Sequence, residues 1–297
     1  VTETKLVWQS KLVLVVVTPF VAAGLVLQSH WWATQQTSVA IWAIGLSLLL
    51  GVVVLWLRAA TPAGALTGAL ITASLMFSTA TFPYEPWNTA LPPVLAVSLL
   101  AWMATKLGRK RKEQLGTAES RRGRSAAQVA ANLGVAALVS SEVVQAWLMD
   151  SHWFSPVGTL APMPLFAVML AALAEAAADT VSSEIGQVLG GLPRMITTLR
   201  VAEPGTDGAI SLAGTIAGVV AGGVVAGIGT LALRGSVVMF WISCAGGVFG
   251  LFFDSLLGAT LERRGWLNND GVNFLSTGSA AGFALVLLAV LARAGVR

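Results

Sequence analysis

Nine stretches of this chain are apolar over about the length a helix needs to cross a bilayer. A span through about 30 Å of hydrocarbon takes roughly 20 helical residues. The runs Leu12 to Leu27, Val39 to Leu57, Ala63 to Ala80, Ala209 to Leu233, Ser236 to Phe253 and Ala280 to Ala292 approach that length. Inside hydrocarbon, backbone polar groups are satisfied only within a helix or a closed barrel. The runs lack the in–out alternation of barrel strands, so they read as helices. Predicted spans are 11–28, 38–58, 62–81, 88–106, 127–149, 161–184, 209–232, 236–258 and 273–293. The expected fold class is all-α, a polytopic membrane helix bundle of about nine transmembrane helices. Only 11% of residues are charged and 56% are hydrophobic. A soluble domain carries about 25% charged residues and could not cover its surface with so few. The first run is longer than a signal core and has no clear small-x-small site after it, so it is expected to be a retained span. Cys244 is the one cysteine, which excludes an intrachain disulfide and a cysteine metal cluster.

The basic residues set an expected orientation. With the amino terminus in the cytoplasm, fifteen of the 18 Lys and Arg fall inside, eight of them between Lys106 and Arg124, and only Arg234, Arg293 and Arg297 fall outside. Such a bias is what the positive-inside rule describes. It also accounts for the high isoelectric point, near 9.7, without a nucleic-acid partner. The expected outer loops, such as Gln28 to Ser38, Phe82 to Trp87 and Asp150 to Ser155, carry aromatic residues suited to the headgroup zone. His30 and His152 both fall on that side. The expected organisation is a single integral membrane domain, 1–297. Within it, 106–126 is a basic cytoplasmic loop, suited to anionic lipid or a phosphorylated substrate, and 127–293 is a five-helix part that carries the motifs.

Ionisable residues inside spans are expensive and mark function by default. Glu175, Asp179, Glu184 and Asp254 gather at the same expected ends of spans six and eight. Ala171, Glu175, Asp179 and Ser183 are four apart and form one stripe on a helix. Two carboxylates one turn apart are tolerable if they share a proton, meet a cation or bind a metal. Gly246, Gly250, Asp254 and Gly258 repeat the spacing, as do Gly214, Gly218 and Gly222, and small residues at that interval pack helices closely. The loops after these spans hold Arg194, Arg200, Arg263, Asn268, Asp270 and Asn273, with Asp-Gly pairs at 207–208 and 270–271. Each pair makes a turn and a cap, or a phosphate site at a helix start. Their recurrence hints at a repeat of spans six–seven and eight–nine. Carboxylates and amides without His or Cys suit a hard cation such as Mg²⁺, and arginines beside it suit phosphates. No GxxxxGK[ST] loop is present, so any nucleotide site is of another kind.

The stretches GRSAAQVAANLG (123–134), AEAAADTVSSEIG (174–186), PRMITTLRVAEPGTDGAISLAGT (193–215), DSLLGATLE (254–262) and NNDGVNFLSTG (268–278) resemble a known family. It is the family of membrane proteins that includes plant phytyl-phosphate kinase and transmembrane protein 19. The likeness covers roughly residues 121–277. It implies a kinase that transfers a phosphoryl group from a nucleoside triphosphate, CTP or ATP, to a prenyl monophosphate such as phytyl or geranylgeranyl phosphate. By that likeness Asp179 and Asp254 hold Mg²⁺ with the nucleotide, assisted by Glu175 or Glu184. Arg194, Arg200, Asn132, Arg124, Thr206, Asp207, Asn268 and Asn273 are the expected nucleotide and phosphate contacts. The implied setting is a bacterial inner membrane or its equivalent, with the active site on the cytoplasmic side. The implied partners are the prenyl phosphate and membrane lipid, with no obligate protein partner. The Ala/Gly-rich spans six to eight are an expected place for an apolar slot that takes the lipid chain, and the first four spans, with little motif content, are expected to pack and to line that slot.

Two other readings stay open from sequence. A cytidylyltransferase-like lipid enzyme would use the same acidic residues and Mg²⁺ but release pyrophosphate. A transporter would carry polar groups across the whole membrane depth, with Glu142, Ser140, Ser141 and Gln145 as an outer relay. The bland account of Glu142 is an acid neutralised by a proton or a hydrogen bond.

Overall fold

The computed structural model describes residues 7–118, 122–150 and 163–294. His152 and Arg297, named above, lie outside the described residues, as do Lys5, Arg121 and most of the aromatic loop after residue 150. The described chain is helical almost throughout. In order it forms α1 (Val7–Gln35), α2 (Thr37–Trp56), α3 (Pro62–Ser78), a 3-10 turn (Pro86–Asn88), α4 (Leu91–Lys106), α5 (Arg109–Leu115), α6 (Ala126–Ser140) and α7 (Glu142–Asp150). Then come α8 (Met163–Leu189), β1 (Arg194–Met195), β2 (Ala209–Ile210), α9 (Leu212–Ala232), α10 (Val237–Leu257) and α11 (Asn269–Arg293).

Each of the nine predicted spans is matched by a helix or a bent helix pair. Six helices are long and apolar enough to cross a membrane by themselves: α1, α2, α8, α9, α10 with its extension to Glu262, and α11. Two further spans are bent pairs, α4 with α5 at 67° and α6 with α7 at 56°. The remaining one, α3, is 17 residues long. Predicted span five is thus broken near Ser141, and the expected basic loop contains a helix of its own, α5.

Side chains from the sequence fix where the helices start. Thr61, Ser211, Ser236 and Asn268 each accept a hydrogen bond from the backbone N–H three residues on. This satisfies donors that the first helical turn would leave bare. Ser125 does the same in a capping box, its hydroxyl accepting from Gln128 N and its own N–H donating to the Gln128 side chain.

The bundle is built around α8, which packs against α4, α6, α9, α10 and α11. Its neighbours approach at glycines. A Cβ on Gly218 of α9 would lie 2.6 Å from the carbonyl oxygen of Ala178, and one on Gly214 would lie 2.6 Å from that of Ser182. On the other side, a Cβ on Gly250 of α10 would meet Glu175 Cγ at 2.5 Å, and one on Gly246 would meet the Ala171 methyl at 2.7 Å. The glycine stripes are therefore close-packing surfaces. That closeness fills the faces at which α8 meets α9 and α10, where the lipid slot was expected. An apolar cavity lies instead among α2, α3, α4 and α6.

The two Asp-Gly pairs are built differently, so the expected repeat is not borne out there. Asp207-Gly208 forms a loop, whereas Asp270 and Gly271 lie in the first turn of α11. Asp270 accepts from the Ser10 hydroxyl of α1 at 2.6 Å, and Gln9 of α1 donates to the carbonyl of Trp266 at 2.8 Å. Glu142, at the bend before α7, accepts a hydrogen bond from the Gln28 side chain of α1. That agrees with the bland account of this residue.

Candidate active site

Where α8 leaves the bundle it opens into a polar cavity of about 280 Å³. Its wall is assembled from the stretches that carry the sequence motifs. The start of α6 gives Arg124, Gln128 and Asn132, and the end of α8 gives Asp179, Thr180, Ser183 and Glu184. The loop before α9 gives Thr206, Asp207 and Gly208. The end of α10 gives Asp254 and Glu262, and the start of α11 gives Asn269 and Asn273. Five carboxylates thus face the cavity, and Arg124 is the cation in its wall.

The acidic stripe of α8 rises from the interior to this cavity. Glu175 is 1% exposed and sits against Gly250. One turn on, Asp179 is half-buried and lies within hydrogen-bond reach of Asp254 from α10. Ser276 of α11 stands beside both Glu175 and Asp254. Among the described residues, Glu175 Oε1 and Asp254 Oδ2 find no hydrogen-bond partner. A buried polar atom in that state costs on the order of 1–3 kcal/mol, and a carboxylate more, so it calls for a ligand or a proton. Glu175 itself does not line the cavity and underlies Asp179.

Arg124 is held by its backbone rather than left on a loose loop. Its N–H donates to the carbonyl of Ala59, and its own carbonyl accepts from Thr61 N, both at 3.0 Å. Gly123 makes this pairing possible. Its φ is +77°, and a Cβ there would fall 2.5 Å from the backbone of Ala59 and Ala60. The guanidinium reaches Thr180 on α8 through Nη2, at 3.4 Å, and its charge faces Asp179. The sequence GRSAAQ is therefore a hinge pin, an arginine and a helix cap in consecutive residues.

The loop 193–211 closes the other side. The β1–β2 pairing, Arg194 with Ile210 and Met195 with Ala209, brings its ends together. Gly208, with φ +72°, lies so close to α10 that a Cβ would sit 2.2 Å from Ala259 N. There α10 passes into a π-helical turn, Gly258–Glu262, a distortion common at functional sites. Desolvation in this loop raises the carboxyl of Asp207 above the usual range, and the charge of Arg263 opposes the rise.

Several expected residues stand elsewhere. Arg194 and Arg200 are exposed and do not line the cavity. Arg194 donates to the carbonyl of Leu199 within its own hairpin, at 2.8 Å. Asn268 caps α11 and donates to Ser10 at 3.0 Å, and its neighbour Asn269 lines the cavity instead. Glu184, expected at the metal, is engaged by Lys112 of α5 at 2.5 Å and by the Thr105 hydroxyl at 3.0 Å. Lys112 is 1% exposed and also donates to the carbonyls of Ala104 and Thr105 at the end of α4. A cation there satisfies bare carbonyls and the negative end of the helix dipole. Sequence reasoning missed Lys112, Gln128 and Glu262. The capping-box spacing Ser125 to Gln128, directly after Arg124, was a usable signal for Gln128.

The fold and this cavity place the chain among polytopic membrane proteins with an acidic site at one end of the bundle. Residues 45–281 match the family model for integral membrane protein DUF92, and the chain belongs to that family. Membership in the group that includes phytyl-phosphate kinase, indicated by the motifs, is thereby shown. An uncharacterized membrane protein of Methanocaldococcus jannaschii is 44% identical over 108 residues, 36% of this chain and 45% of that protein. An uncharacterized membrane protein of Synechocystis is 30% identical over 204 residues, 65% of this chain and 71% of that protein. The chloroplastic protein VTE6 of Arabidopsis thaliana is 27% identical over 186 residues, 62% of this chain and 54% of that protein. The match thus spans about half the length of the Methanocaldococcus and Arabidopsis relatives. No solved structure matches the chain.

Proposed function

We propose that this protein is a kinase that transfers a phosphoryl group from a nucleoside triphosphate to a prenyl monophosphate at the membrane surface. The observation that carries the reading is the cavity's charge: Asp179, Asp254, Asp207 and Glu262 around one guanidinium, Arg124. Bare phosphates would be repelled there, whereas a nucleotide that brings a divalent cation suits it. The similarity to the phytyl-phosphate kinase family supplies the reaction class.

Magnesium fits these residues in its usual manner, held by one or two carboxylates with substrate phosphates and water completing the shell. Asp179 and Asp254 are the two that would hold it, with an unsatisfied carboxylate oxygen on Asp254 available. Among the described residues no three of His, Cys, Asp and Glu are placed to form a full protein cage, which agrees with a metal that arrives with the nucleotide. When bound, Mg²⁺ supplies charge neutralisation on the transferred phosphate. Arg124 then orients phosphate oxygens, and Glu175 with Ser276 supports Asp179 and Asp254 from below. An oxygen of the lipid phosphate attacks the terminal phosphorus, the bond to the bridging oxygen breaks, and a nucleoside diphosphate leaves. Catalysis of this kind is mostly positioning and electrostatics, and a phosphate dianion needs no protein base. The positive-inside count supports a cytoplasmic cavity face, the side on which nucleotide is available.

The test is product analysis with purified protein, phytyl and geranylgeranyl phosphates, Mg²⁺ and each nucleoside triphosphate in turn. Lipid diphosphate together with nucleoside diphosphate is expected, with CTP or ATP as donor. Failure with every pair overturns the kinase reading. Pyrophosphate release in place of nucleoside diphosphate would convert it to nucleotidyl transfer.

A further inference from the structure

A second cavity adjoins the polar one. It lies among α2, α3, α4 and α6, and its deeper walls are Leu50, Val54, Ala69, Val94, Val97 and Leu133. Small residues open it. Ala65, Gly68 and Ala69 put little side chain on that part of α3, and a Cβ on Gly68 would meet Val129 only at an ordinary 3.7 Å, whereas Gly64 packs against the backbone of Arg124. Along α4 the lining runs from Val94 to Lys106, roughly 18 Å by helical rise, or about half the hydrocarbon thickness. One end is apolar. The other end is rimmed by Arg58, Lys106, Arg109 and Arg124. Among the described residues, neither Arg58 nor Lys106 has a carboxylate within ion-pair distance. The indole N–H of Trp102, one turn from Lys106 in the same wall, is buried and has no partner among the described residues. Arg124 and Asn132 belong to both cavities.

We infer that this slot is the seat of the lipid substrate: a single-chain amphiphile with an anionic phosphate head, its first carbons in the slot and its head at the cationic rim. The assignment rests on the kinase reading for the identity of that lipid, a prenyl monophosphate. Charge complementarity and continuity argue for it. The rim is basic where the polar cavity is acidic, so the two cavities sort a bare phosphate from a cation-bearing nucleotide. Arg124 and Asn132 stand where the lipid phosphate would meet the nucleotide. The slot holds about 120 Å³. An apolar cavity of about 150 Å³ takes one benzene molecule, so this slot encloses about the first five-carbon unit, and the rest of the chain lies in the bilayer.

Two experiments test this. First, a geranylgeranyl monophosphate with a diazirine on its first isoprene unit is photolysed with the full-length protein in nanodiscs, and labelled peptides are mapped. Labelling of α3 and α4 around Gly68 and Ser98, displaced by unlabelled geranylgeranyl phosphate, is expected. Labelling confined to α9, α10 or lipid-facing residues overturns the assignment. So does displacement by phosphatidic acid but not by geranylgeranyl phosphate, which would make the slot a phospholipid site. This arm reads binding and holds whether or not phosphoryl transfer is found. Second, Gly68→Leu fills the slot. It is expected to weaken geranylgeranyl phosphate binding at least tenfold, to leave Mg²⁺–nucleotide binding within twofold, and to elute as the wild type does. Gly68→Ala, in ordinary contact with Val129, is the control and should bind lipid as the wild type does. Equal loss of both ligands in Gly68→Leu, or of neither, overturns the slot.

Discussion

The two halves of this bundle are built on opposite packing rules. In the half around α8, helices touch at backbone distance. Over its most apolar window α8 is 89% buried, against 22% for α1 and 28% for α2. Glycines on α9 and α10 carry that contact, and charged residues concentrate where it ends. In the other half, α1 and α2 are mostly exposed along their length, and on α3 Gly68 faces a cavity, whereas Gly64 meets the backbone of Arg124. The same residue types, Gly and Ala four apart, close a gap in one half and open one in the other. What differs is whether a partner helix comes to fill the space.

The largest test of this contrast lies at the seam. Lys112 is the buried post that ties α5 and the end of α4 to Glu184 on α8. Removing one member of such a pair strands the other charge, at a cost of about 3–5 kcal/mol. Lys112→Met is expected to unfold at markedly lower temperature in detergent. The double variant with Glu184→Met should recover much of the loss, because two apolar side chains leave no stranded charge. A double variant no more stable than Lys112→Met would show that the pair does not join the halves. The next effect is on chemistry. Asp179→Asn and Asp254→Asn keep shape and lose charge, and each should lower lipid diphosphate formation on the order of 10²–10³-fold with an unchanged melting temperature. Full activity in both would remove them from the site.

A smaller effect separates glycines that close the α8 contact from those that face open space. Gly218→Leu pushes a side chain onto the carbonyl of Ala178, and overpacking of this kind costs about 1–3 kcal/mol. Gly223, five residues on, has nothing within 4 Å of its Cβ position. Gly223→Leu is therefore expected to melt with the wild type. Equal melting temperatures for the two variants would mean that the α8–α9 contact is not set by its glycines.

The spans, the glycine stripes and the pair Asp179 and Asp254 were legible because each is a pattern within one helix, written at the period of the helix. Glu184 belonged to the same pattern, but its partner did not. A lysine inside the run GRKRKEQ looks like a solvated cation, and only the bend of α5 against the end of α4 turns Lys112 inward. The slot left no pattern at all. It is made by side chains that are missing from several helices at once, and absences on separate helices do not add up to a motif. This is why the sequence points to no more in the front half than packing and a part in lining the slot, and places the slot itself among helices whose facing glycines are closely packed.

Two of the arginines, Arg194 and Arg200, give the smallest expected effect, and beside Arg124 the sharpest comparison. Arg124, Arg194 and Arg200 look equivalent in sequence, as expected contacts to phosphate. The structure separates them by how their backbones are held. Arg124 is clamped between Ala59 and Thr61 by two backbone hydrogen bonds, with its guanidinium on Thr180. Arg194 spends its guanidinium on Leu199, and Arg200 is exposed on the same hairpin. A cation in water at the rim contributes on the order of 1 kcal/mol or less to an ionic contact, whereas one fixed at the transferred phosphate acts in a partly desolvated site, where a single donor contributes more. Arg124→Ala is therefore expected to lose at least 10²-fold in activity. Arg194→Ala and Arg200→Ala should stay within about twofold, with any residual effect vanishing at high ionic strength. A large, salt-insensitive loss in either hairpin variant would mean that the loop closes further over the nucleotide than it does here, bringing those cations into the cavity after all.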